Sequence, residues 1–255
     1  MHRARSLRHA PAIVTGTLVK PNGQYNVAAP KSLSQRIASY QRRAMYRRFL
    51  KDAGVRSSDT ILDVGVTSDR TYESSNYLEA WYPYKSKITA TGIEDANFLE
   101  ELYPGVKFVY ADGLDLPFDD CSFDIVHSSA VLEHVGSREN QSRFVAECAR
   151  VARRAVFLTT PNRWFPIEVH TVLPVMHWLP TSLFRAALLR TRFRFFAFEE
   201  NLNLLSSSEL NRLIYSLTDF EFRVSGVTLA GWTSNLLLIG HRLGGRGRIH
   251  QVGCR

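Results

Sequence analysis

Three acidic side chains close three short apolar runs, spaced by about one strand and one helix. Asp63 stands in Thr60-Ile61-Leu62-Asp63-Val64-Gly65, Glu94 follows Thr91-Gly92-Ile93, and Asp112 lies in Ala111-Asp112-Gly113. A carboxylate ending a second strand can accept both hydrogen bonds of a ribose diol, and one after a third can accept from an adenine amino group. The chemistry on offer is the binding of a nucleoside-like ligand, a cofactor by expectation. Asp95 adjoins Glu94 and can exchange roles with it, and Gly65 and Gly113 complete the set. No GxGxxG occurs, which argues against a dinucleotide.

A second group lies in Thr159-Thr160-Pro161-Asn162-Arg163-Trp164-Phe165-Pro166-Ile167-Glu168-Val169-His170-Thr171. Polar groups interleaved with aromatics suit an acceptor pocket. His170 is the candidate base for an acceptor hydroxyl, oriented by Glu168, Asn162 or Arg163, with Trp164 and His134 as further acceptor contacts; His177 is the weaker alternative.

These groups need a scaffold, and the hydrophobic pattern supplies one. Strands are expected near 59–65, 87–93, 106–110, 123–128 and 154–160, with helices near 73–82, 96–103 and 138–153. Such alternation predicts an α/β, Rossmann-like, doubly wound and mostly parallel sheet with helices on both faces. A basic amphipathic helix should precede it at 32–52, stopped by Gly54. A helix over 206–217, opened by Ser207 or Ser208, and two strands near 221–227 and 235–241 should follow, the last antiparallel. The expected organisation is a basic arm at 1–31, one domain over 32–241 with an acceptor-site or lid insertion at 161–205, and a basic tail at 242–255.

The net charge of +8 resides at the ends: residues 1–51 hold 11 Lys or Arg and no acid, whereas residues 52–240 hold 17 against 24 acids. Basic ends suit a solvated tail or peripheral contact with an anionic membrane, as does the mixed apolar and basic segment 183–198. Cys121, Cys148 and Cys254 lack any CxxC spacing, so neither a disulfide framework nor a zinc site is indicated. With no membrane span or convincing signal peptide, a cytoplasmic location is expected.

The order Leu62-Asp63-Val64-Gly65, Gly92-Ile93-Glu94, Asp112-Gly113, Leu116-Pro117-Phe118, Ser122-Phe123-Asp124-Ile125-Val126 and Val131-Leu132-Glu133-His134-Val135 resembles a class I S-adenosylmethionine-dependent methyltransferase of the small-molecule type. The resemblance covers about residues 55–165. It implies S-adenosylmethionine as cofactor, transfer to a small-molecule, sugar or lipid-linked acceptor, and Ser128 and Ser129 against the methionine part. The first loop departs from the family: Gly65-Val66-Thr67-Ser68-Asp69-Arg70 lacks the further glycines, and Thr67, Ser68 and Asp69 stand as substitute side-chain contacts. Some relatives bind metal through Glu-x-x-Glu-His; with Ala130 at the first position only two ligands remain, so no metal is expected. A non-catalytic scaffold on a decayed methyltransferase fold is the alternative. A nucleic-acid methyltransferase is the third reading, disfavoured because no Asn/Asp-Pro-Pro-Tyr motif is present.

Overall fold

In the computed structural model, which describes residues 32–244, the apolar runs become strands β1 (Ile61–Val64), β2 (Ile88–Gly92), β3 (Lys107–Tyr110), β4 (Phe123–Ser129) and β5 (Ala152–Pro161), joined by the hairpin β6 (Phe220–Leu229) and β7 (Trp232–Arg242). The sheet order is β3-β2-β1-β4-β5-β7-β6, parallel through β5, with β7 antiparallel to both neighbours. The order reverses beside β1, so the crevice forms at the carboxyl ends of β1, β2 and β4.

Alternating side chains split the core between two faces. Ile61, Ile88, Ile125, Phe157 and Ile239 pack under helices α1 (Leu33–Asp52), α2 (Tyr77–Trp81) and α3 (Phe98–Leu102). Leu62, Val64, Val126, Val156 and Leu238 pack under α4 (Arg138–Val151) and α6 (Ser207–Leu213). A separate cluster of Phe184, Leu188, Phe193, Phe196 and Leu202 forms around α5 (Thr181–Leu188), within the expected insertion.

Several boundaries differ from the sequence reading for physical reasons. Residues 73–76 form a 3₁₀ turn before the short α2, and α6 stops at Leu213. Ser206, not Ser207 or Ser208, caps α6, in a capping box with Glu209. The basic face of α1 is largely spent on the fold: Arg42 donates to Ser74, Arg43 stacks over Trp81, and Arg48 holds Asp52, Ser225 and the Gly226 carbonyl. Cys121 is disulfide-bonded, which corrects the reading of the cysteines as unpaired, while Cys148 is a free buried thiol. The arm at 1–31 and the tail beyond Gly244 lie outside the described residues, among which no helix is long and apolar enough to cross a membrane.

Candidate cofactor and acceptor site

The crevice is shaped first by Gly65, whose φ of +92° and contact with Val131 leave no room for a side chain: a Cβ there would come within 2.3 Å of Val131 Cγ2. The amides of Gly65 and Val66 both donate to the Thr91 carbonyl, at 2.7 and 2.9 Å, turning the chain across the end of β2. Ala130 takes φ +57°, a conformation costing an L-residue about 1–2 kcal/mol, as the chain leaves β4 for Val131. A small cavity results, lined among others by Asp63, Gly65, Asn76, Tyr77 and Ser129.

The loop leaving Gly65 folds back on the crevice. Ser68 Oγ donates to Glu94 Oε2 in a very short hydrogen bond, Arg70 lies 4.3 Å over the Phe98 ring, and Val66 is buried. Asn76 clamps the loop from below, accepting from Thr67 N at 2.9 Å and donating to Thr67 O at 3.0 Å. Glu94 thus faces its own loop. Asp112 is exposed and accepts from Leu114 N, and Asp95 accepts from Asn97 N and Nδ2, which makes it a turn former entering α3. Gly113 answers to packing, because a Cβ would meet Phe144 at 2.5 Å. Ser128 is tied to the Val64 carbonyl and Ser129 to Thr159.

Beneath the cavity runs a buried polar chain that the sequence reading missed. Tyr77 meets His127 Nε2 at 2.8 Å, and His127 Nδ1 meets Asp63 Oδ1 at 2.6 Å. The signal available was register, since Asp63 and His127 are paired neighbours on β1 and β4. Burial holds His127 neutral, pushing it down to about 4, and pushes Asp63 up to about 7. Fully buried Glu79 lies against Asp63, and neither of its carboxylate oxygens has a donor. Two buried carboxyls near one another disfavour each other's charged form. Burial, then the Asp63 charge, raises Glu79 well above the usual carboxylate range. A carboxyl raised in the fold stabilises fully below its unfolded value of 4.5 and loses that contribution as pH rises through its folded value. The melting temperature should therefore fall as pH climbs above about 4.5, and Glu79→Gln should flatten that fall; parallel melting curves across pH would contradict the raised Glu79.

On the β4–β5 side a second buried cluster forms. Glu168 draws its own loop around one carboxylate, accepting from His170 N at 3.0 Å, Thr171 N at 2.6 Å and His170 Nδ1 at 2.7 Å. Burial alone would raise Glu168, but the His170 charge and these hydrogen bonds outweigh it and hold it at about 2. Burial likewise opposes the charged form of His170, and the Glu168 charge and hydrogen bond overcome it, leaving His170 above its ordinary value. His170 Nε2 points to His134 Nε2 at 3.1 Å, so the nitrogen expected to serve as a base is engaged by another histidine. His134 Nδ1 meets the Asn201 carbonyl at 2.7 Å. Glu133, fully buried, accepts from Thr160 at 2.9 Å through Oε2, while Oε1 has no hydrogen-bond partner. The motif itself keeps two potential metal ligands, and His170, from outside it, comes within reach of both.

A separate small cavity sits in the insertion, lined by Arg163, His177, Thr181, Phe184, Arg185 and Phe196 among others. Arg163 donates to Thr181 and to the Leu179 carbonyl, and its Nε is buried without a partner. His177, ranked below His170 in the sequence, is the histidine that lines this cavity. Asn162 is committed to structure, donating to the Thr233 carbonyl and accepting from Trp164 N. Trp164 is exposed, its ring 6.4 Å from that of Trp178.

Comparison with known proteins agrees with this geometry. A family model described as a methyltransferase domain matches residues 62–159. A probable S-adenosylmethionine-dependent methyltransferase of Mycobacterium tuberculosis is 43% identical over 63 residues, which is 24% of this chain and only 22% of that relative's length. A ubiquinone/menaquinone biosynthesis C-methyltransferase of Idiomarina loihiensis is 24% identical over 168 residues, 59% of this chain and 65% of the relative. The fold also matches the magnesium protoporphyrin IX methyltransferase of Synechocystis, whose crystal structure holds S-adenosylhomocysteine, at a TM-score of 0.53 and 14% identity over 86% of this chain and 92% of that one. By its motif order, its sheet topology and the methyltransferase-domain match over residues 62–159, this chain is similar to the class I S-adenosylmethionine-dependent methyltransferases, enzymes whose cofactor is S-adenosylmethionine.

Proposed function

We propose that the chain transfers the methyl group of S-adenosylmethionine to an anionic acceptor, among small-molecule, sugar and lipid-linked candidates, with the lipid-linked one favoured. The observation that carries the reading is the carboxyl edge of β1, β2 and β4, where Gly65 and Ser129 line a cavity and Glu94 is tied to the loop leaving Gly65. In this conformation the cavity has room for little more than a water molecule. The residues fit the cofactor once Val66–Arg70 leaves Glu94, whose carboxylate would then accept from the ribose hydroxyls, with Asp112 toward adenine and Gly65, Thr67 and Ser129 toward the methionine end.

Bound there, the cofactor supplies a methyl group on a positively charged sulfur that is already a good leaving group. The protein's task is chiefly positioning, worth ~7–11 kcal/mol, more than the ~10²–10⁴-fold gain of a general base. His170 is therefore not required as one. The cavity around Arg163, His177 and Arg185 offers an anionic acceptor a cationic rim and the Phe184 and Phe196 rings.

The lipid-linked form is favoured by the surface beside that cavity. Trp164, Trp178 and Trp232 are 50%, 36% and 54% exposed, with Leu179 and Leu183 exposed nearby. Tryptophan with arginine at its edge suits the interface of a bilayer. Transfer of a labelled methyl group from S-adenosylmethionine into a lipid-extractable product tests the activity. Sedimentation with anionic vesicles tests the surface: the protein should pellet, and Trp164→Ala with Trp178→Ala should leave most of it in the supernatant. A lid over the acceptor cavity would give no pelleting in either protein. Arg163→Ala should raise KM for an anionic acceptor about tenfold at unchanged kcat, the loss of one charge-assisted hydrogen bond.

A further inference from the structure

Glu133, His134 and His170 converge from two separate segments, the turn after β4 and the loop after β5, and their ligand atoms all lie within 4.8 Å of one another. Each is held from behind. Glu133 Oε2 is tied to Thr160, His134 Nδ1 to the Asn201 carbonyl and His170 Nδ1 to Glu168. These ties leave Glu133 Oε1, His134 Nε2 and His170 Nε2 as the inward-facing atoms. A ring nitrogen tied to a carbonyl or carboxylate while the other faces inward is the arrangement that orients metal-binding histidines.

The distances suit an ion as well as the hydrogen bond that joins the two rings. Two imidazole nitrogens bound to one zinc-class ion at ~2.0–2.1 Å stand about 3.3 Å apart in tetrahedral geometry; His134 and His170 Nε2 stand at 3.1 Å. Glu133 Oε1 lies 3.9 Å from His134 Nε2, within reach of a small side-chain rotation. This oxygen belongs to a fully buried carboxyl and has no hydrogen-bond partner, an omission that a bound cation would compensate. The His134 side chain, 17% exposed, leaves an entry from solvent.

We propose that Glu133, His134 and His170 form a binding site for one divalent transition-metal ion of the zinc class, with Glu168 as the group orienting His170. Two imidazoles and one carboxylate match such ions better than Mg²⁺ or Ca²⁺, which take all-oxygen shells. Three protein ligands leave a coordination position open, as in catalytic rather than structural sites. An oxygen of the acceptor is the chemistry that position would take. The site stands on these side chains alone and does not rest on the cofactor reading.

Co²⁺ alone, titrated into the metal-free full-length protein without cofactor or acceptor, is the test. The expected result is one equivalent bound, with the visible d–d absorption of a low-symmetry site. Glu133→Gln and His134→Gln, checked by melting for an intact fold, should each weaken binding about 100-fold or more, beyond the 10–100-fold typical of orienting groups. Should either variant unfold, ¹⁵N-histidine spectra of the unmodified chain take its place: one equivalent of Zn²⁺ should shift the Nε2 resonances of two histidines. Absence of the d–d bands, equal Co²⁺ affinity in the variants, or Zn²⁺ shifts at other histidines would overturn the site and leave a proton shared between His134 and His170.

Discussion

Replacing Glu94 by alanine should raise the dissociation constant for S-adenosylmethionine by about two orders of magnitude while leaving the melting temperature nearly unchanged. A carboxylate accepting from both ribose hydroxyls makes two charge-assisted hydrogen bonds, each worth about 1.5–3 kcal/mol. Glu94 is half-buried, so solvent screening places the sum near the lower end, and about 2.8 kcal/mol is a factor of 100. The fold tolerates the change because Glu94 sits on the loop after β2 with Ser68 as a partner, outside both large apolar clusters. Ser68→Ala sharpens the argument. The Ser68 hydroxyl holds Glu94 in the closed loop, so its removal stabilises the open one and should tighten cofactor binding several-fold. Were Ser68 a ligand of the cofactor, the same substitution would weaken binding.

The largest effect on stability should come from Glu168→Ala, a loss of about 3–5 kcal/mol, the usual result of leaving one partner of a buried ion pair uncompensated. Glu168 is 2% exposed, satisfies two backbone amides and pairs with His170. It also closes a loop in which Val172 and Val175 sit at φ +59° and +50°, a region that β-branched residues avoid. Without that carboxylate nothing comparable pins the loop. At about 2–4 °C per kcal/mol for a chain of this size, thermal denaturation should report a fall of roughly 10 °C. Glu168→Gln should recover part of it, since the amide oxygen still accepts from one backbone amide. A fall of only a degree or two would show that the loop is held by other contacts.

The parallel sheet was legible because short strand-like runs rich in apolar residues, such as Ile61–Val64 and Phe123–Ser129, alternate with helical segments. Helices on both faces followed from the alternation of strands with helices. Helix ends were less legible: Ser206 rather than a neighbouring serine caps α6, a choice made by the reach of Glu209 back to the Ser206 amide. In the site, the carboxylates at strand ends were readable from type and spacing, whereas the partner of His170 was left open among Glu168, Asn162 and Arg163, and the structure pairs it with Glu168. Contacts between distant segments were not readable. His170 meets His134 across 36 residues, and Tyr77 meets His127 across 50, through the way β4 and β5 align and the chain turns after them. Nor does the sequence say that Ser68 would take Glu94, because a serine in a glycine-poor loop has many acceptors within reach.

Calorimetric titration of S-adenosylmethionine into the full-length protein and its Ser68→Ala variant tests the central claim most directly, because it asks whether the crevice behind the Ser68–Glu94 contact receives a nucleoside cofactor. One site should be seen in both proteins, tighter in the variant. No binding heat at millimolar cofactor in either protein, with both folded by melting, would contradict the account.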